Sequence, residues 1–173
     1  MKRLSIFVSG GGTNLQRIAE YFADNKEDCD MFRYQGLQKA LTENKLEVNE
    51  DFYYLVHIEK KEREKDYEKL LDYIQKKDIT AVFAASDQYA IELMRFLLRK
   101  GVKVPEEISI VGFDDIPLAA QIYPGLTTIS QNIPLRGKMA VEMLQDQIED
   151  NETGGSVLLP AQLIARESVK KIN

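Results

Sequence analysis

The sequence has one cysteine, Cys29, and one histidine, His57, among its 173 residues. A single cysteine cannot form a disulfide within the chain, and the two residues are too few for a zinc site built from cysteine or histidine ligands. A free thiol is typical of a reducing compartment, so the sequence favours a cytoplasmic location. We therefore expect no disulfide, no metal ligands and no cofactor.

Long apolar runs and an excess of positive charge are also missing. No segment approaches the roughly 18 consecutive apolar residues of a membrane-spanning helix, and the apolar run at residues 4–8 is too short for a signal peptide. The formal net charge is −5, and every cluster of Lys and Arg is interleaved with acids. We therefore expect this chain to contact neither nucleic acid nor a membrane directly.

Short runs rich in Val, Ile, Phe and Tyr alternate with helical periodicity along the chain. The runs that predict buried strands are residues 4–9, 52–57, 80–85, 108–113 and 126–130, and a further extended segment covers 157–164. This order predicts a doubly wound α/β fold, a Rossmann-like three-layer domain whose mostly parallel sheet has helices on both faces. In such a sheet, ligands bind at the carboxyl ends of the strands.

Five apolar stripes at helical spacing predict amphipathic helices between these strands, and the first and third of them have the spacing i, i+3, i+4 and i+7. They are Leu15, Ile18, Ala19 and Phe22; Met31, Tyr34, Leu37 and Leu41; Tyr67, Leu70, Leu71 and Ile74; Ile91, Met94, Leu97 and Leu98; and Ala140, Val141, Leu144 and Ile148. The first two stripes lie in one crossover, which is therefore predicted to hold two helical pieces broken near residues 24–30. Pro134 can open the last helix.

Three consecutive glycines follow the first predicted strand and precede Thr13 and Asn14. Backbone N–H groups at the start of a helix bind phosphate and other anions, so Gly11, Gly12, Thr13 and Asn14 are candidate anion-binding residues. The alternative is structural: the glycines permit a sharp turn, and Thr13 or Asn14 caps the helix. The sequence leaves both interpretations open.

Residues 1–22 resemble the start of phosphoribosylglycinamide formyltransferase, in which a strand is followed by S-G-x-G-[ST]-N and this turn holds the substrate phosphate. The matching residues are Ser9, Gly10, Gly12, Thr13 and Asn14. Catalysis in that family needs an Asn, a His and an Asp, with the His in an N-x-H-P-S context, whereas His57 lies in Tyr-Leu-Val-His-Ile. We therefore expect no catalytic residue and no formyl transfer.

Four stretches further along resemble the effector-binding core of LacI-type transcriptional regulators, which is similar to periplasmic sugar-binding proteins. They are RYQGLQKAL at 33–41, ITAVFAASDQYAIELMRFLLRKGVKVPEEISIVGFDD at 79–115, LTTISQ at 126–131 and LLPAQLIARES at 158–168. The resemblance implies one domain over 1–173, the C-terminal half of a periplasmic-binding-protein-like effector domain. Residues 1–30 form its formyltransferase-like strand, turn and helix, and 31–173 its LacI-like part, without a helix-turn-helix headpiece.

The same resemblance assigns five ligand-binding residues. Arg33 matches the Arg of the family's R-x-x-G helix, Ser86 and Asp87 match its Asn-Asp pair, Asp114 matches the first acid of Phe-Asp-Asp, and Gln131 ends T-T-I-S-Q. Such side chains supply the donors and acceptors that sugar hydroxyls need. Ser86 replaces the family's Asn and so weakens one of the implied contacts.

Each assignment has a structural alternative. Arg33 can be a helix-surface residue, Asp87 can cap a helix that begins near Gln88, and Asp114 can cap the turn before Pro117. We interpret His57 as a polar residue at a strand end rather than as a ligand-binding group.

The function that the resemblance implies is a ligand-sensing, non-enzymatic module of a repressor, which binds a sugar or another small metabolite. The alternatives are a formyltransferase-like fragment and an inactive, engineered or recombined hybrid of two folds. By the resemblance, the helix 134–149 and the strand 157–164 cross to an N-terminal subdomain, so the apolar face of this helix has lost its usual partner. We therefore expect either a homodimer, to which the dimer-like helix 88–100 contributes, or a helix folded back on its own sheet.

Overall fold

The computed structural model describes residues 3–9, 29–45, 53–57, 60–150, 157 and 159–170. The strands are β1 Arg3–Ser9, β2 Tyr53–Val56, β3 Ile79–Ala84, β4 Ser109–Phe113, β5 Thr127–Ser130 and β6 Gln162–Ile164. The helices are α1 Cys29–Glu43, α2 Lys60–Lys76, α3 Asp87–Arg99, α4 Pro117–Gln121 and α5 Ile133–Asp150. The glycine turn at 10–14 and the predicted helix at 15–22 lie outside the described residues, so the anion site stays a prediction.

The six strands form one sheet in the order β2-β1-β3-β4-β5-β6. All neighbours are parallel except β5 and β6, which pair antiparallel. The chain runs outward from β1 to β2 and then returns to β3 on the other side of β1. The predicted doubly wound, mostly parallel α/β fold is therefore confirmed, and the strand order reverses next to β1 and β3, where such folds bind ligands.

The predicted strands match the observed ones closely. The boundaries of β1 to β5 differ from the predictions by one residue at most at either end. The extended segment at 157–164 is shorter as a strand, since β6 contains three residues. In the first crossover, α1 begins at Cys29, inside the predicted break at 24–30.

The core lies where α2 and α3 cover one face of the sheet. Tyr67, Leu70 and Ile74 of α2 and Ile91, Met94 and Leu97 of α3 are buried against strand residues such as Val82 and Ile110. Fully burying an aliphatic or aromatic side chain of this size stabilises a fold by about 1.5–3 kcal/mol. The apolar stripes of α2 and α3 therefore point inward as predicted, except that Leu71 and Leu98 are only partly buried.

A smaller apolar cluster joins α1 to the other face of the sheet. Leu41 is buried with Ala85, and Tyr34, Leu37, Tyr53 and Phe83 pack around them. The rings of Tyr34 and Tyr53 meet edge to face with their centroids 4.9 Å apart. This cluster fixes the position of α1 over the carboxyl ends of the central strands.

The segment after β6 returns to the sheet and binds β4 and β5 together. The Ile110 amide donates to the Ser168 carbonyl over 2.8 Å, and the Ser168 amide donates to the Gly125 carbonyl over 2.9 Å. The Thr127 amide donates to the Ser168 hydroxyl over 2.8 Å. Ser168 is fully buried, so this residue anchors the C-terminal segment.

The last helix, α5, stands apart from the rest of the domain. Its apolar residues Val141, Leu144 and Ile148 are 59%, 56% and 71% exposed, and Ala140 is exposed as well. The alternative in which this helix folds back on its own sheet is therefore wrong. None of the helices in the described ranges combines the length and apolar character needed to cross a bilayer.

Candidate functional site

Three of the five assigned residues meet where α1 covers the carboxyl ends of β4 and β5. Arg33 comes from the first half of α1, Asp114 directly follows β4, and Gln131 directly follows β5. Parallel strands bring their carboxyl ends to one edge of the sheet, which explains why residues distant in sequence converge. We call Arg33, Asp114 and Gln131 the polar triad.

Arg33 is held by contacts on several sides. One guanidinium nitrogen donates to the Ala85 carbonyl over 2.7 Å, and another lies 3.6 Å from Asp114 Oδ1. The guanidinium carbon is 4.2 Å from the centre of the Phe113 ring, close enough for a cation–π interaction. Arg33 is therefore oriented toward the strand ends rather than being a free helix-surface residue.

Asp114 has an unusual backbone that turns its side chain into the same region. Its φ is +117°, and Asp115 follows with φ +54°. The Asp114 amide donates to the Ile129 carbonyl over 2.9 Å, and Gln131 Nε2 donates to Asp114 Oδ1 over 2.8 Å. The N-cap of α4 is Ile116, and the Asp114 carboxylate contacts Gln131 and Arg33, which favours the ligand-facing interpretation over a cap for the turn before Pro117.

Burial and nearby donors act on the Asp114 carboxyl in opposite directions. Burial is the largest effect and raises its pKa, while the Arg33 charge, the Gln131 hydrogen bond and the Arg136 charge lower it. Arg136 also donates to Gln131 Oε1 over 2.8 Å. The polar triad is thus part of a chain of hydrogen bonds and charges in which Gln131 connects Arg136 to Asp114.

A groove of about 520 Å³ opens beside this chain of polar groups. Its walls are Arg33, Gly36 and Leu37 from α1, with Phe83, Phe113, Ile129 and Gln131 from the strand ends. We call it the Arg33 groove. Its combination of aromatic and aliphatic walls with a few convergent polar groups is typical of a site for a small organic molecule.

A second groove of about 520 Å³ lies beside Asp114. It is lined by Asp114, Asp115, Ser130, Asn132, Ile133, Pro134, Pro160, Ala161 and Gln162. Asp115 is already engaged there, because Arg166 donates to its Oδ1 over 2.7 Å. Asp114 lines this second groove and is connected to the Arg33 groove through its contacts with Arg33 and Gln131.

The structure places Asp87 away from both grooves. It is fully buried; Thr128 Oγ1 donates to its Oδ1 over 2.5 Å, and the Ile116 amide donates to its Oδ2 over 2.9 Å. Burial raises its pKa, and these two hydrogen bonds partly oppose that rise. This arrangement gives Asp87 a structural role, because its carboxylate joins α3 to β5 and α4. Both carboxylate oxygens accept these structural hydrogen bonds.

Ser86 occupies the N-cap position of α3, so the cap predicted for Asp87 falls one residue earlier. Its φ of −147° and ψ of 157° are extended, but its side chain makes no capping hydrogen bond. Ser86 is partly exposed at the end of β3. Ser86 does not line either of the two grooves, so its contact with a ligand stays a prediction.

Gly112 is needed for the position of Asp87, and sequence reasoning did not single it out. A Cβ at this position would collide with Asp87 Oδ1 and would approach Leu126 Cδ2 to 2.9 Å. The groove walls Phe83, Phe113 and Ile129 were also read only as strand residues. These residues lie at or next to the last residues of β3, β4 and β5, which could have indicated a place at the carboxyl-end edge of the sheet, where ligands bind.

His57 lies at the end of the edge strand β2 and is bound to Asp66 of α2. Its Nδ1 is 2.6 Å from Asp66 Oδ2, and its amide donates to the same oxygen over 2.9 Å. Asp66 is buried, whereas the His57 side chain is 55% exposed. The pair agrees with the interpretation of His57 as a polar residue at a strand end. Within the described ranges, no cluster of three metal-ligating side chains occurs.

The sequence profile of the periplasmic binding protein-like domain matches residues 12–169. This range includes part of the segment that resembles the formyltransferase. Among proteins, the HTH-type transcriptional repressor PurR of Vibrio parahaemolyticus is 34% identical over 96% of this chain and 48% of its own length. The repressor of the same name from Haemophilus influenzae is 34% identical over 81% of this chain and 42% of its own.

Solved structures of regulators have the same architecture. The transcriptional regulator CelR in complex with cellobiose has a TM-score of 0.77 and 27% identity, covering 96% of this chain and 46% of its own. A LacI family regulator from Enterococcus faecium with bound ribose has a TM-score of 0.74 and 26% identity, covering 98% and 57%. A dimeric Lac repressor has a TM-score of 0.71 and 25% identity, covering 95% and 55%. The chain thus spans about half the length of the relatives it matches.

Proposed function

Because this chain belongs to the periplasmic binding protein-like family, we propose that it is the effector-sensing half-domain of a LacI-type transcriptional regulator. In this role it binds a small molecule and performs no chemistry on it. The observation that carries the proposal is the convergence of Arg33, Asp114 and Gln131 beside an apolar groove. The relatives are transcriptional repressors, which supports a sensing role over an enzymatic one.

The ligand class that we propose is a sugar. The polar triad presents guanidinium and amide donors together with a carboxylate acceptor, and a sugar hydroxyl both donates and accepts. Phe83, Phe113 and Ile129 form an apolar wall against which the C–H face of a sugar ring can pack. Two of the similar solved structures contain cellobiose and ribose, which supports a mono- or disaccharide.

The proposed mechanism is linkage between ligand binding and domain closure. The relatives are about twice as long as this chain, so a second half-domain supplies the opposite wall of the cleft. A ligand held between two halves favours the closed state and so changes the DNA affinity of a headpiece elsewhere in the regulator. This chain alone provides one wall, and its own affinity for a sugar is accordingly weak.

The proposal includes a homodimer, a cytoplasmic location and no direct contact of this chain with DNA. Apolar side chains on or next to α3 and α4 are exposed: Leu98 and Leu118 partly, and Tyr123 almost fully. One of the similar structures is a dimeric repressor, and exposed apolar groups of this kind mark interaction surfaces. A transcriptional repressor must reach the DNA, which supports a cytoplasmic location for this chain.

Nuclear magnetic resonance tests the sugar assignment on the 173-residue chain. Ribose or cellobiose at millimolar concentration should shift the amide resonances of Phe113, Asp114 and Gln131. Asp114→Asn should strongly reduce the shifts, because it removes the negative charge that faces Arg33 and replaces one carboxylate oxygen with an amide nitrogen that cannot accept a hydrogen bond. Asp72→Asn is the matched control, since Asp72 is an exposed carboxylate on α2. Shifts that are absent with both sugars, or unchanged in Asp114→Asn, would contradict the proposal.

A further inference from the structure

The turn that carries Asp114 has an unusual backbone over two consecutive residues. Asp114 and Asp115 have φ of +117° and +54°, and neither residue is a glycine. A side chain disfavours a positive φ, so such a conformation persists only where the surrounding contacts hold it. The direction of the Asp114 side chain therefore depends on the groups that fix this turn.

The main chain supplies only part of this support. The Asp114 amide donates to the Ile129 carbonyl over 2.9 Å. The Asp115 amide lies 3.4 Å from Thr128 Oγ1, beyond the usual length of an N–H···O hydrogen bond. The short contact of Asp115 is made by its side chain, because Arg166 Nη2 donates to Asp115 Oδ1 over 2.7 Å. The second residue of the turn is therefore fixed mainly through Arg166.

Arg166 is itself fixed by other contacts of the segment after β6. Its Nη1 donates to the Leu126 carbonyl over 2.7 Å, and its backbone amide donates to Thr127 Oγ1 over 2.9 Å. Two residues later, the buried Ser168 hydroxyl joins this segment to β4 and β5. The Arg166 side chain is 18% exposed, and a guanidinium with two fixed acceptors has little freedom to move. Arg166 therefore anchors Asp115 rather than following it.

We propose that Arg166 is a positioning residue for ligand binding. By holding Asp115, it keeps the turn in the conformation that directs the Asp114 carboxylate toward Arg33 and Gln131. Arg166 lines neither of the two grooves, so it acts through Asp115 and not by touching the ligand. The proposal rests on the proposed function, in which Asp114 accepts a hydrogen bond from a sugar hydroxyl.

Nuclear magnetic resonance on the 173-residue chain tests the turn without a ligand. The three-bond coupling between the amide and α protons depends on φ, so it reports the backbone of Asp114 and Asp115. Arg166→Met keeps a long side chain but removes both guanidinium contacts, and it should change the couplings of both aspartates. Arg99→Met is the matched control, since Arg99 is a 70% exposed arginine paired with Glu64, and it should leave these couplings unchanged. Unchanged couplings in Arg166→Met would overturn the proposal.

A double-variant cycle on sugar binding tests whether Arg166 acts through Asp115. Arg166→Met and Asp115→Ala should each weaken the binding of ribose or cellobiose roughly tenfold, comparable with the loss of a supporting hydrogen bond behind a metal ligand. The double variant should bind no more weakly than either single variant, because the two side chains form one contact. Arg166→Lys, which keeps the charge, should restore part of the affinity. Losses that add in the double variant would show that Arg166 acts independently of Asp115 and would contradict the proposal.

The two experiments separate the positioning role from the sugar assignment. If neither sugar shifts the resonances of the unmodified chain, the sugar assignment fails, and the couplings still decide whether Arg166 fixes the turn. If a sugar binds and Arg166→Met lowers stability toward urea but not affinity, the sugar assignment stands and the positioning role is wrong. Asp115→Ala leaves the contacts of Arg166 with Leu126 and Thr127 in place, so it tests the turn even if Arg166→Met does not fold. An unchanged Asp114 coupling in Asp115→Ala would also overturn the proposal.

Discussion

The Thr128 hydroxyl of β5 donates to the buried Asp87 carboxylate at the start of α3 over 2.5 Å. The contact passes across Gly112 of β4, where any side chain would collide with the same carboxylate. Together with the Ile116 amide, it ties α3, α4 and β5 into one unit directly beneath the polar triad. The rigidity of the sheet edge that carries the polar triad therefore depends on the Asp87 carboxylate, which lines neither groove.

Asp87→Asn should destabilise the fold by about 1–3 kcal/mol at neutral pH. The amide oxygen can accept a hydrogen bond from Thr128 or from the Ile116 amide, but the amide nitrogen cannot accept the other one. Urea unfolding followed by circular dichroism would measure the loss. Asp72→Asn, at an exposed site, is the control and should change stability little.

The same pair of proteins should differ in pH dependence. Burial raises the pKa of Asp87 above its ordinary value of 3.8. A carboxyl whose pKa is higher in the folded state stabilises the fold fully below the ordinary pKa, and this contribution is lost as the pH rises through the raised pKa. The stability of the unmodified chain relative to Asp87→Asn should therefore decrease from acidic to neutral pH. A relative stability that increases over this range would contradict the assignment.

Gly112→Ala should destabilise the chain by about 1–3 kcal/mol, the usual cost of overpacking a core. The new methyl group collides with Asp87 Oδ1 and with Leu126, so either the carboxylate or β4 must move. Gly36→Ala in α1 is the control, because a Cβ there meets nothing within 4 Å. That substitution should be neutral or should stabilise the helix by up to about 1 kcal/mol. Equal thermal midpoints for both variants would show that Gly112 is not a close contact.

Ser168→Ala should cost about 1–3 kcal/mol, since it leaves two buried backbone groups without partners. The Ser168 hydroxyl donates to the Ile110 carbonyl over 2.6 Å and accepts from the Thr127 amide over 2.8 Å. Amide hydrogen exchange should be faster at Thr127 and at the neighbouring residues of β4 and β5. Ser130→Ala removes a hydroxyl with a single long contact, 3.5 Å to the Asn132 amide, and should leave exchange at Thr127 unchanged.

The candidate anion site in the glycine turn can be tested by thermal unfolding. Phosphate or sulfate bound at Gly11, Gly12, Thr13 and Asn14 should raise the melting temperature, because a ligand that binds only the folded state stabilises it. Gly12→Val or Asn14→Ala should abolish this rise. A rise that is the same in both variants would move the anion site elsewhere. Folate-dependent formylation of glycinamide ribonucleotide should be absent in every variant, since His57 lacks the family's catalytic context.

Much of the fold could be predicted from short-range patterns in the sequence. The apolar runs placed β1 to β5 to within one residue at each end, and the stripes of α2 and α3 pointed to the core. Strand and helix periods are local properties, and a parallel order of strands follows from their alternation with helices. The motifs around Arg33, Asp114 and Gln131 likewise located residues that the structure brings within reach of one another.

Two aspartates show what the tertiary structure alone decided. Asp87 and Asp114 each lie just beyond a strand end, and the sequence offered the same choice for both, a ligand contact or a cap. Asp87 turns inward because the hydroxyl of Thr128, 41 residues away, and the Ile116 amide donate hydrogen bonds to its two carboxylate oxygens. Gly112, which has no side chain, leaves the space for this carboxylate. Asp114 turns toward Arg33 and the second groove because its backbone adopts a positive φ and Gln131 holds its side chain. The direction of a side chain depends on long-range partners and on backbone conformation, and neither is present in the local pattern that predicts a strand or a helix.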